Sequence, residues 1–118
     1  MTAITVGDEA VRITLSRAEK VLGLMGDQVI PLASVTDVGV EPRPLRATSG
    51  LRAPGTALPG VVKIGTWRRR GRRQFVAVHS SRPALRLVTS GLRFDSYLVS
   101  AEDAEGLAAQ VSLRLDRR

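Results

Sequence analysis

The residue types best equipped for chemistry cluster in one run, Arg68-Arg69-Arg70-Gly71-Arg72-Arg73, with Trp67 just before it and Lys63 four residues earlier. A guanidinium is a planar, permanently charged fork of N–H donors that fits carboxylate or phosphate oxygens in pairs. Five of them on one short segment repel one another unless solvent or an anion compensates. Lys63, Trp67, Arg68, Arg69, Arg70, Arg72 and Arg73 are therefore the candidate anion- or partner-binding residues. The plainer reading is a solvated loop that aids solubility. Trp67 is open to two readings: an amphipathic anchor at an interface, or a side chain packed inside the protein.

The charge bias extends well beyond this run. Between Glu41 and Asp95 there is no acidic residue but there are twelve basic ones, whereas the rest of the chain holds six basic and eleven acidic residues. The net charge of +7 is thus the difference between a +12 segment and a −5 remainder. Such asymmetry bears on partners and solubility rather than on fold. Sixteen of the eighteen basic residues are Arg, as anion recognition favours, although a GC-rich genome yields the same preference.

Catalysis finds little to work with. His79 is the single histidine, its sequence neighbours are Ser80, Ser81 and Arg82, and acids are distant in sequence, so a Ser-His-acid site is not expected. There is no Cys, which excludes disulfides, thiolate metal sites and cysteine nucleophiles. Acids are scattered singly apart from Asp8-Glu9 and the Glu102-Asp103-Glu105 group, and the latter suits a helix start better than a metal. No Gly-rich phosphate-binding pattern occurs. A non-enzyme without cofactor or metal is expected.

The elements that must position the arginines read as mainly β. Residues 10–15 alternate, with Val11, Ile13 and Leu15 on one side of a strand. Ser16-Arg17-Ala18-Glu19 has capping-box spacing, which predicts a short helix over Arg17 to Met25 ending near Gly26. Strand pieces follow at Val29–Leu32 and Val35–Val40. Residues 42–60 hold four prolines and three glycines and read as a long loop. Val61–Trp67 and Gln74–His79 form a hairpin, with Arg68 to Arg73 as a loop of four to six residues. Strands at Ala84–Thr89 and Phe94–Val99 come next. Ser100-Ala101-Glu102-Asp103 is a second capping box, and Ala104, Leu107, Ala108, Val111 and Leu115 make the apolar stripe of a terminal helix. About seven strands followed by a helix exclude a parallel βαβ sheet.

The pattern Pro54-Gly55-Thr56, Pro59-Gly60, Gly65-Thr66-Trp67, Gly71 and Phe75-Val76-Ala77-Val78, then Tyr97-Leu98-Val99-Ser100-Ala101-Glu102-Asp103, resembles the bacterial pleckstrin-homology (PH-like) domains. The likeness covers roughly residues 28–115 and is most specific in the Pro-Gly segment. It implies one domain over residues 1–118, in which two antiparallel sheets form a partly open barrel capped by the C-terminal helix. It brings no activity, since such domains serve as non-catalytic modules. The early helix at Arg17 to Met25 departs from the plain PH-like arrangement. Lys63-x4-Arg68-x-Arg70 also matches the loose basic pattern with which some PH domains hold phosphoinositide head groups, here on a mid-chain hairpin.

The expected function is a non-catalytic binding or scaffold module that engages a protein partner or an anionic surface through the Arg-rich hairpin. Peripheral binding to anionic membrane lipid is the alternative. Non-specific nucleic-acid binding ranks last, because only four aromatic residues are available to stack on bases. A homo-oligomer joined through an exposed sheet edge also fits such a fold. The N-terminal residues show no basic and apolar signal-peptide pattern and no apolar run approaches a bilayer span, so a cytoplasmic location is expected, extending to the inner membrane face.

Overall fold

The computed structural model describes residues 3–17, 20, 26–43, 51–58, 62–69, 71–79 and 82–116, and for 51–58, 62, 63 and 69 the backbone alone. The helix expected over Arg17 to Met25 therefore lies largely outside the described residues. The chain runs through β1 (Ala3–Val6), β2 (Ala10–Thr14), β3 (Gln28–Pro31), a 3₁₀ turn (Leu32–Ser34), β4 (Val35–Glu41), β5 (Leu51–Leu58), β6 (Val62–Arg69), β7 (Arg72–His79), β8 (Ala84–Thr89), β9 (Ser96–Ser100) and α1 (Ala104–Asp116). It is mainly β with one C-terminal helix.

The strands form a three-stranded sheet, β1-β2-β3, and a six-stranded sheet, β4-β8-β9-β7-β6-β5. Among the described residues no ladder joins the two sheets into a barrel. The three-stranded sheet is antiparallel throughout. In the six-stranded sheet β7 and β9 run parallel, with Gln74 opposite Ser96 and Ala77 opposite Val99. This corrects the expectation of two purely antiparallel sheets. The cause is strand order: β9 is inserted between β7 and β8, which run in opposite directions, so it is antiparallel to β8 and necessarily parallel to β7.

The Pro-Gly segment supplies the second correction. Residues 51–58, expected as loop, form edge strand β5, paired with β6 from Leu51 opposite Arg68 to Leu58 opposite Val62. The register shifts between Arg52 and Gly55. Pro54 lies within that shift, which is where a residue without an N–H can enter an edge strand. Proline and glycine density here marks a bulged edge, not the absence of a strand.

Burial follows the alternation. Val11, Ile13 and Ile30 of the three-stranded sheet meet Phe75, Ala77, Leu85, Leu87, Tyr97 and Val99 of the larger one, and Val111 closes the core from α1. Phe75, Phe94 and Tyr97 pack ring against ring, with centroids 5.4–5.6 Å apart and two of the three contacts edge-on. Three of the four aromatic residues thus sit at one point, and burying Phe75 fully contributes about 2–3 kcal/mol. Desolvation there raises the Tyr97 phenol above its ordinary pKa. A smaller cluster on the opposite face joins Trp67, Val76, Val78, Ala84 and Leu98.

α1 (Ala104–Asp116) begins three residues later than a cap at Ser100 suggests. The Leu107 amide donates to the Asp103 carbonyl at 3.0 Å and the Gly106 amide donates to Asp103 Oδ1 at 3.1 Å, so Asp103, not Ser100, is the cap. Ser100 is already engaged: its buried Oγ accepts the His79 amide at 2.9 Å where β7 leaves the sheet. At the other end of the helix, Arg114 Nε donates to the Gly7 carbonyl at 2.7 Å and ties α1 to the β1–β2 turn. Leu15 and Asp27 flank the segment expected to be helical. The Leu15 amide donates to Asp27 Oδ1 at 2.9 Å, and this bond holds the Asp27 carboxyl below its ordinary pKa.

Candidate functional site

The arginine run is the tip of the β6–β7 ribbon. Arg68 stands opposite Arg73 and Arg69 opposite Arg72, so only Arg70 and Gly71 remain between the strands. The loop of four to six residues expected from the sequence is thus a two-residue turn. Gly71 has φ +79°, a left-handed conformation that a tight hairpin turn demands and that glycine adopts without strain.

A ribbon presents its side chains alternately, and this divides the cluster. Positions 68 and 73 fall on the same face of the sheet as Phe75, whereas positions 69 and 72 fall on the Trp67 face. Arg68, Arg72 and Arg73 are exposed. Among the described residues no carboxylate lies within ion-pair distance of these three. Two like-charged cross-strand pairs in succession cost stability, roughly 0.2–1 kcal/mol each. The side chain of Arg69 and the whole of Arg70 lie outside the described residues, as does the side chain of Lys63.

One residue that sequence reasoning missed, Asp95, holds the base of this tip. The Arg73 amide donates to Asp95 Oδ2 and the Asp95 amide donates to the Arg73 carbonyl, both at 2.8 Å. Asp95 is the first acid after the acid-free stretch, and it serves the ribbon through backbone, not through a guanidinium. Exposed Arg93, two residues earlier, has its guanidinium carbon 5.5 Å from the Phe94 ring centroid and adds a further positive charge beside that base. Nothing in the local sequence marks Asp95, because its contact reaches a strand two apart in chain order from the one it precedes.

Trp67 does not offer its ring to a partner. It is 5% exposed and packs with Val76, Val78, Ala84 and Leu98, which corrects its place among the binding residues. The Lys63-x4-Arg68 spacing does not converge either. Five residues is an odd step along a strand, so position 63, opposite Val78, and position 68, opposite Arg73, lie on opposite faces of β6. His79 contributes backbone, not imidazole, to its contact with Ser100. Among the described residues, no group of three His, Cys, Asp or Glu side chains could hold a metal ion. No helix among them is long and apolar enough to cross a membrane.

What remains is a narrow, rigidly rooted ribbon with exposed cations on both faces. Such an arrangement can meet several separate negative charges on an extended surface. No protein-family model, curated protein or solved structure matches the chain.

Proposed function

We propose that the protein is a non-catalytic docking module that engages an anionic surface, foremost that of an acidic protein, through the tip of its β6–β7 ribbon. The observation that carries this reading is the set of exposed arginines Arg68, Arg72 and Arg73 without carboxylate partners among the described residues, at the end of a hairpin whose register opposes like charges. Folding alone gives no reason for such pairs, because opposite charges at those positions stabilise a ribbon. An anion that neutralises them turns the same arrangement into a source of binding energy, and its Coulombic part weakens as salt rises.

A PH-like assignment is the finer form of this reading. Two sheets with a helix at the C-terminus packed on the core support it. The parallel pairing of β7 with β9 stands outside the antiparallel arrangement that the resemblance implies.

The test uses three polyanions: poly-glutamate, vesicles with and without phosphatidylglycerol, and duplex DNA. Wild-type protein is expected to bind poly-glutamate in a salt-sensitive manner. The Arg68→Glu/Arg72→Glu variant is expected to lose that binding while keeping its fold, because each new Glu faces an Arg across the ribbon. Absence of binding to every polyanion at low salt would falsify the reading, and preference for vesicles or DNA over poly-glutamate would redirect it to lipid or nucleic acid.

A further inference from the structure

We propose that the ribbon tip docks on the opposite end of a second copy of this chain, a head-to-tail contact between its arginines and the acidic start of α1. This rests on the docking reading above and names its partner. Three observations carry it.

The first is charge segregation. Arg68, Arg72 and Arg73 are exposed at the tip, and Glu102, Asp103 and Glu105 are exposed at the start of α1, so two sites of one chain carry opposite charge.

The second is topology. The tip lies at the beginning of β7 and the α1 start follows the end of β9, and these strands run parallel. The two features therefore sit at opposite ends of the sheet, separated by the eight residues from Arg72 to His79, or about 23 Å along the strand. A tip cannot reach the α1 acids of its own chain but can reach those of another.

The third is availability. The Glu102 side chain is 82% exposed even though its carboxylate stands 3.5 Å from Arg82. Glu105 is exposed and has no ion-pair partner among the described residues, and Asp103 uses Oδ1 on the Gly106 amide. Against this stands the +7 net charge, which makes two copies repel. At about 0.15 M ionic strength the screening length is about 8 Å, so that long-range repulsion is damped across the molecule while contacting pairs still attract. The contact is weak and needs high protein concentration. Because patch and target differ, it is heterologous, and assembly does not stop at two copies.

Sedimentation equilibrium over a range of concentrations tests this. At 0.15 M salt the weight-average mass is expected to climb past that of a dimer, and at 1 M salt association is expected to weaken at least tenfold. Arg68→Glu/Arg72→Glu and Glu102→Lys/Glu105→Lys are each expected to remain monomeric alone. Mixed in equal amounts they are expected to associate again, because the intact tip of one meets the intact acidic end of the other. Should the lysine variant melt early, Glu102→Gln/Glu105→Gln tests the same loss with less perturbation of the helix start. A monomer at every concentration, a plateau at dimer, or a mixture that stays monomeric overturns the proposal. If wild-type protein binds poly-glutamate but does not self-associate, only this proposal falls; if it does neither, the docking reading falls with it.

Discussion

The two halves of the β6–β7 ribbon share strands, register and hydrogen bonding, yet they answer to different constraints. At its base, residues 64–67 and 75–78 are buried on both faces, with Phe75 in the main core and Trp67 in the smaller one. At its tip, the described residues from 68 to 73 are exposed, and what holds them is a turn glycine and one carboxylate. Burial explains every side chain at the base. It explains none at the tip, where the register sets arginine against arginine. A segment kept in place by its root, with side chains that do not serve its own stability, is where a binding role is most economically placed.

Substitutions along the ribbon should reproduce this gradient. Phe75→Ala, which removes the centre of the aromatic group, is expected to cost about 3–5 kcal/mol in denaturant unfolding. A loss below about 1 kcal/mol would mean that the base is not the root of the ribbon. Gly71→Val places a β-branched residue at φ +79° and is expected to cost about 1–3 kcal/mol, with the turn altered and the core retained. Unchanged stability would show that the turn does not require its left-handed residue. Asp95→Ala removes the acceptor of the Arg73 amide and is expected to cost about 1 kcal/mol. Amide exchange at Arg73 should then accelerate while exchange at Phe75 does not, and equal acceleration at both would erase the distinction between tip and base. Arginine-to-glutamate reversal at the tip should leave stability unchanged or raise it slightly while removing polyanion binding, the reverse of the Phe75 result.

The periodic parts of the fold were legible in the chain. Alternation at Val11, Ile13 and Leu15, and the helical stripe Ala104, Leu107, Ala108, Val111 and Leu115, match the faces that are buried or half-buried. Local chemistry was harder to read. Pro54 suggested a loop because proline is excluded from central strands, but β5 is an edge strand with a register shift at that point. Six residues from Arg68 to Arg73 suggested a loop because of their charge, but alternation continues through them and only two residues turn. Ser100 had the spacing of a cap, but the amide of His79, brought near by the β7–β9 pairing, takes its hydroxyl.

The sequence by itself determined which residues alternate, where the terminal helix lies and where positive charge accumulates, because these depend on near neighbours along the chain. Only the tertiary structure decided that positions 68 and 73 fall on one face of the ribbon and 69 and 72 on the other, that Trp67 is enclosed, that Asp95 braces the ribbon and that the acidic helix start stands at the far end from the tip. Each of those depends on strand order and register, above all on β9 lying parallel between β7 and β8. Register is set by long-range burial, and burial is a property of the folded chain as a whole.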